Sequence, residues 1–372
     1  MAILVHVDFT SAEDPLLARV TYKLPQFFSC DGVPYGPENQ YIRFLALRLS
    51  EKSIKTVSEH IKEFLLWRVA LGIELVDICD RDVDYYIEAQ CAHSKAPGVG
   101  LAWNTVNSRI SGAHRYLIWC RNRGHNINIS LEEEGSRYFG ARVRFVVRGH
   151  PSRKLIQSTK FLLLDVAVNL IAEVTSVSAK RNTGLGVRNS LIAKLMLQCG
   201  LRLSEAVNFP LNDLPDINHR GHSTPARVLG KGNKARVILV PNRLLADIWG
   251  YVDMERALWL ERMAYKKPST TTPPFLFISP IGKPLTGNWI EKIFAKASKN
   301  LGIDAVPHSL RHTFGTYHYL YNKDLLALSK IMGHESERTT EKFYVHNAIL
   351  ISHAATYEQL QKDIDKMCGG IS

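Results

Sequence analysis

At 372 residues, 45% hydrophobic and 22% charged, the chain can bury a core in each of two ordinary domains and is too apolar for a disordered polymer. Its 47 Lys and Arg against 35 Asp and Glu leave a formal charge of +12, which points to a polyanionic partner, with nucleic acid the first choice. The six cysteines (Cys30, Cys79, Cys91, Cys120, Cys199, Cys368) contain no C-x-x-C pair, which argues against both a zinc knuckle and a disulfide framework.

The opening MAILVHVDFTSAED has no basic leader before its apolar run and no cleavage-like site, and no apolar run approaches the roughly 20 residues of a membrane helix. A cytosolic protein without a membrane partner is expected, nucleoid-associated when bound to DNA. Alternation over Ile3–Phe9 and Ala18–Leu24 predicts short strands, and Asp31-Gly32 and Pro34–Pro37 predict turns. From Glu38 to about Gly124 the period is helical: Ser53 is placed to cap a helix running to Leu71, with Val57, Ile61, Phe64, Leu65 and Val69 on one stripe. Asp80–Ala92 and Trp103–Arg123 supply two more helices, the second closed by Gly124, for a bundle of about four.

No acidic residue occurs between Glu134 and Asp165, whereas Arg137, Arg142, Arg144, Arg148, Arg153, Lys154 and Lys160 all do. That stretch reads either as an extended segment against phosphates or as a solvated hinge, and Arg142, Arg144, Arg148, Arg153 and Lys154 are its candidate DNA contacts. Helical patterning returns from Phe161 through Cys199, and Arg227–Val240 then reads as a hairpin around Gly230–Lys234. Asn242–Ala264 is again helical, PFLFISPIGKPLTG reads as a short strand and turn, and the remainder is helical to about Met367. The fold class is therefore mainly α with a small antiparallel β-sheet.

Six residues spread over the second half make a kit for handling a phosphodiester without metal: Arg202, Lys231, His308, Arg311, His334 and Tyr344. Guanidiniums clamp phosphate oxygens, a phenol is a candidate nucleophile, and lysine and histidine move protons. In GLRLSE, Gly200 is placed to end a helix and Glu205 stands three residues past Arg202; alone, such an Arg–Glu pair is commonplace. GKGNKAR sets Lys231 between glycines at the hairpin tip, where a plain polar turn is the competing reading. In PHSLRHTFGTYHY, His308 and Arg311 share one helical face. His308 and His312 also have the i,i+4 spacing of a zinc pair, but Ser309 stands where a zincin carries glutamate, so no metal site is expected. In MGHESERTTEKFYVH, His334 precedes Tyr344 by ten residues, and Thr339 or Thr340 is placed to cap the tyrosine's helix.

In this order, G-L-R-x-S-E, a hairpin lysine, H-x-x-R, G-H and a tyrosine in Y-x-H resemble the tyrosine recombinase (phage integrase) family over roughly residues 155–350. The helical segment 38–124 is more loosely similar to its SAM-like core-binding domain. The resemblance implies a core-binding domain (37–134) and a catalytic domain with a C-terminal helix (161–372), joined by the basic linker (135–160); the N-terminal extension (1–36) departs from the family pattern and reads as an arm-type DNA contact or a partner surface. It implies that Arg202 and Arg311 hold the scissile phosphate, Tyr344 attacks to leave a 3′-phosphotyrosine, Lys231 protonates the departing 5′ oxygen, His308 relays a proton, His334 bonds the phosphate and Glu205 supports the arginines. Neither metal nor nucleotide cofactor is then required. The implied protein is a site-specific recombinase of duplex DNA, free as a monomer and tetrameric on a Holliday junction, aided by a DNA-bending or directionality factor, for integration, excision or resolution of a mobile element. Type IB topoisomerase-like relaxation and non-cleaving DNA binding are the alternatives. Residues 354–372 resemble the helix that members pack onto a neighbouring subunit, with packing in cis the competing reading, and Tyr357 is the reserve nucleophile.

Overall fold

A computed structural model describes residues 2–9, 22–95, 101–131, 133–134, 144–145, 161–230, 234–266, 273–334 and 337–368. The chain folds as two compact units, Met1–Gln157 and Ser158–Ser372, each with its own apolar core.

In the first unit, strands β1 (Ala2–Phe9) and β2 (Tyr22–Ser29) pair antiparallel, Ala2 opposite Ser29 and Phe9 opposite Tyr22. The second strand runs further along the chain than the alternation over Ala18–Leu24 predicts. Leu24 to Phe27 are all buried, so both faces are covered and the period of two is lost. Helix α1 (Gly36–Ala46) docks on it through Asn39, whose side chain accepts from the Phe27 amide at 2.7 Å and donates to the Phe27 carbonyl at 3.0 Å. Helix α2 (Glu51–Ala70) is capped by Ser50 rather than Ser53: the Ser50 Oγ accepts from the Ser53 amide at 3.4 Å. Its buried stripe is Ile54, Ile61, Phe64 and Leu65, while Val69 faces solvent. Helices α3 (Asp80–Lys95) and α4 (Trp103–Asn122) complete a four-helix bundle around Tyr41, Phe64, Tyr86 and Tyr116. A buried Arg68–Glu38 pair at 3.1 Å joins α2 to α1. Two-residue strands β3 (Glu133–Glu134) and β4 (Arg144–Phe145) also pair.

The second unit opens with α5 (Leu164–Ala179) and α6 (Thr183–Cys199), separated where the Asn182 side chain accepts from the Gly184 amide at 2.9 Å. A short α7 (Leu203–Val207) leads to the antiparallel hairpin of β5 (Ser223–Leu229) and β6 (Ala235–Pro241). Helix α8 (Asn242–Tyr251) passes through a π-helical turn, Val252–Arg256, into α9 (Ala257–Lys266). The strand expected in PFLFISPIGKPLTG is two isolated bridges, Phe275 with Pro210 and Ile278 with Pro284. The buried Arg256 guanidinium donates to the Pro273, Phe275 and Leu276 carbonyls, so a side chain occupies acceptors that a ladder would use.

Helices α10 (Gly287–Asn300), α11 (Pro307–Asn322) and α12 (Leu325–Met332) follow. Helix α13 (Glu337–Thr340) runs through a π-helical turn, Glu341–Val345, into α14 (His346–Cys368). The fold is mainly α with small antiparallel sheets. Among the described residues no helix is long and apolar enough to cross a membrane.

Candidate active site

The site is built where two helices end. Helix α6 stops at Gly200, whose left-handed φ of 66° favours glycine, and a Cβ there would lie 2.5 Å from the Phe314 ring. The chain then turns to place Arg202 as the residue before α7. Glu205, buried in the first turn of α7, accepts from the Arg202 amide at 2.7 Å and from Arg202 Nη1 at 2.7 Å. Burial pushes its carboxyl up, but hydrogen bonds from Arg236 and from the Arg202 amide prevail and hold its pKa at about 2.

Arg311, on α11 and 1% exposed, donates one Nη to the Gly200 carbonyl and the other to the Met332 carbonyl. Burial, then the neighbouring Arg202, lowers its pKa to about 10, so it stays charged at neutral pH. Arg202 Nη2 reaches the Gly333 carbonyl at 2.9 Å, and Arg236 Nε reaches the Ile331 carbonyl at 2.8 Å. The three consecutive carbonyls at the end of α12 thus each accept from a different arginine. A helix C-terminus has orphan acceptors and a negative dipole end, which explains why guanidiniums collect there.

His334 follows directly. Its Nδ1 lies 2.8 Å from Thr340 Oγ1, and its ring stacks on Tyr344 at a centroid distance of 5.9 Å and an angle of 5°. Burial, then Arg311 and Arg202, lowers its pKa to about 4. His308 is also lowered, by burial and then Arg311 and Arg202, so the imidazoles are neutral at pH 7 and fit to accept a proton. Tyr344 sits in the π-helical turn and is 1% exposed. Its ring lies flat against Gly315 of α11, where an added Cβ would fall 2.6 Å from Cε1. Burial pushes the phenol up to about 12, and Arg311 and Arg202 pull it down.

Five of the six residues singled out from sequence, with Glu205, therefore converge in one chain. Lys231, Arg142, Arg148, Arg153 and Lys154 lie outside the described residues, and for Arg144 only the backbone of β4 is described. Thr340 does not cap the tyrosine's helix: it lies inside a continuous helical run, and its hydroxyl turns to His334. Sequence reasoning missed Arg236, whose Nη1 and Nη2 grip Glu205 Oε1 and Oε2 at 2.8 and 2.7 Å. The signal was its register on β6, on the same face as buried Ile238 and Val240. His312 was considered only as a metal ligand. It stands edge-on to His308 at 4.9 Å and 5.8 Å from the Tyr344 ring centroid, its pKa lowered to about 3 by burial and then His308. Among the described residues, no group of three or more His, Cys, Asp or Glu is placed to share an ion.

The model of the phage integrase family matches residues 160–349, half of the chain and the whole of this site. The chain belongs to the phage integrase family. Within it, the chain is 28% identical over 201 residues to the tyrosine recombinase XerH of Campylobacter jejuni, covering 53% of this chain and 51% of that protein. It is 33% identical over 187 residues to the XerC of Vibrio vulnificus, 49% of this chain and 52% of that one. The chain thus spans about half the length of these curated relatives. In fold it is similar to XerH bound to a palindromic difH substrate in a post-cleavage complex, with a TM-score of 0.56 at 16% identity over 87% of this chain and 85% of that one. That likeness is one of fold and spans both units of the chain.

Proposed function

We propose that the protein is a tyrosine-type DNA strand transferase that carries out site-specific recombination, and that Arg202, Lys231, His308, Arg311, His334 and Tyr344 perform the chemistry with Glu205 in support. The observation that carries this reading is the packing of Tyr344 beside His334 within the field of two guanidiniums. The phenol oxygen attacks phosphorus and the P–O5′ bond breaks. The phenol proton passes to neutral His308, and Lys231 protonates the departing 5′ oxygen. Arg202 and Arg311 hold the non-bridging oxygens as charge builds, the electrostatic contribution that is usually largest. The phosphotyrosine conserves the bond energy, so a 5′-hydroxyl from another strand reverses the step with neither ATP nor metal.

Strand exchange between two sites needs four such active sites. A lambda integrase tetramer bound to a Holliday junction shares this fold, with a TM-score of 0.51 at 14% identity, and supports the same arrangement here. The N-terminal helical unit as a core-binding domain, the basic linker as its phosphate-tracking connection, an accessory bending factor and the integration, excision or resolution of a mobile element complete the reading.

The test is a randomised library of nicked duplexes incubated with the protein and recovered as covalent adducts under denaturing conditions. Wild type is expected to yield adducts at a discrete sequence and Tyr344→Phe none, with DNA affinity nearly unchanged. Adducts persisting in the variant would move the nucleophile, with Tyr357 next in line. No adduct from wild type would leave a non-cleaving DNA-binding protein, and relaxation of any supercoiled plasmid without recombinants would leave a topoisomerase.

A further inference from the structure

Arg236 is the guanidinium that the proposed chemistry does not use, yet it is the most fully engaged in the site. Its side chain is 9% exposed, and its three nitrogens make three hydrogen bonds of 2.7 to 2.8 Å: two to Glu205 and one to the Ile331 carbonyl. Each partner belongs to a different segment. Glu205 holds Arg202 by its amide and by Nη1. Ile331 lies in the last turn of α12, two residues before Gly333, whose carbonyl accepts from Arg202 and whose successor is His334. Arg236 itself rides on β6 opposite Val228, in the hairpin that the Gly230 amide closes by donating to the Lys234 carbonyl at 2.8 Å. Room for it is made by two glycines: a Cβ at Gly333 would fall 3.0 Å from Arg236 Cδ, and one at Gly230 3.3 Å from its Nη1.

The geometry points to Arg236 as a positioning residue for strand cleavage, one that fixes Arg202, the His334 turn and strand β6 in one register through Glu205 and the end of α12. This rests on the proposed function and adds to it a residue whose Nε, Nη1 and Nη2 are all bound within the protein. The physical basis is that a planar fork bound at both oxygens of one carboxylate, and at a carbonyl by its third nitrogen, removes sliding and rotation together. A lysine keeps the charge but not the fork. Misplacement of a reacting group by about 1 Å costs on the order of 100-fold in rate, so loss of the fork should be visible in the chemical step.

The experiment compares wild type, Arg236→Gln and Arg236→Lys in the full chain. The probe is the nicked duplex recovered from the adduct screen, with single-turnover adduct formation and DNA affinity measured separately. Arg236→Gln is expected to slow adduct formation on the order of 100-fold while affinity stays within about threefold, and Arg236→Lys to recover part of that loss. A second readout needs no DNA: NMR titration of His334 in the free protein. Its imidazole should titrate higher in Arg236→Gln than in wild type, because one of the cations opposing its protonation (Arg311, Arg202 and Arg236, with His308) is gone. Wild-type cleavage in both variants, or affinity falling in parallel with rate, overturns the proposal. If Arg236→Gln does not fold, Arg236→Lys decides it: slower cleavage at unchanged affinity supports positioning, and wild-type cleavage refutes it. A wild type that forms no adduct refutes the strand-transfer reading instead, and the His334 titration then tests the packing alone.

Discussion

At the scale of single residues, the pocket is defined by groups held away from their ordinary protonation behaviour. His312 and His334 titrate at about 3 and about 4 in the fold against an ordinary 6.5, and Glu205 at about 2 against 4.5. All three are depressed, so the unfolded chain binds more protons as pH falls, and stability must rise with pH across each window. The histidine contribution is present above about 6.5 and is lost toward about 3, while Glu205 begins to lose its share below 4.5. The melting temperature of the free protein should therefore fall steadily from pH 7 to pH 4, and a flat profile over that range would contradict the half-buried, neutral imidazoles. Gly315 is the other residue-scale constraint. Gly315→Ala places a methyl 2.6 Å from the Tyr344 ring, and overpacking of this kind costs about 1–3 kcal/mol. The expected result is a lower melting temperature together with slower adduct formation, and wild-type values for both would show that the ring is not seated there.

At the scale of elements, most of what the sequence makes legible is local. The ends of α6 and of α4 follow from Gly200 and Gly124, both left-handed, and the hairpin of β5 and β6 follows from its two β-rich runs around glycines. Elements settled by a tie between local signals, or by distant partners, are harder to read. The cap of α2 fell on Ser50 and not Ser53, since either serine followed by a helical run satisfies the same pattern. Ser50→Ala should cost about 1 kcal/mol by thermal unfolding and Ser53→Ala much less; a larger loss at Ser53 would return the cap to it. The strand missing from 273–284 is replaced by Arg256, twenty residues before the Leu276 carbonyl it binds, which no window of alternation can reveal. Arg236 was hidden for a related reason: an arginine between a polar turn and an apolar strand reads as surface until its face is known. The described part of α14 beyond Ile349 is mostly exposed, with Leu360 and Ile364 carrying apolar surface into solvent.

At the scale of the whole molecule, a net charge of +12 and a site lined by guanidiniums predict that affinity for DNA is dominated by counterion release. The logarithm of the binding constant should fall linearly with the logarithm of salt concentration, with a slope of several units, and a salt-independent affinity would remove the phosphate contacts from the account. Chelator should leave adduct formation unchanged, since the proposed proton transfers run through His308 and Lys231.

Three guanidiniums, Arg202, Arg236 and Arg311, crowd the end of α12 around the single carboxylate of Glu205. After burial, the neighbouring guanidiniums of Arg202 and Arg236 help lower the Arg311 pKa, and a small tetrahedral oxyanion bound among them would offset that repulsion. Sulfate or inorganic phosphate should therefore act as a stabiliser at millimolar levels, raising thermal resistance more than chloride at matched ionic strength. The same ions should compete with the genetic substrate, so a buffer chosen to preserve the purified protein would quietly inhibit it.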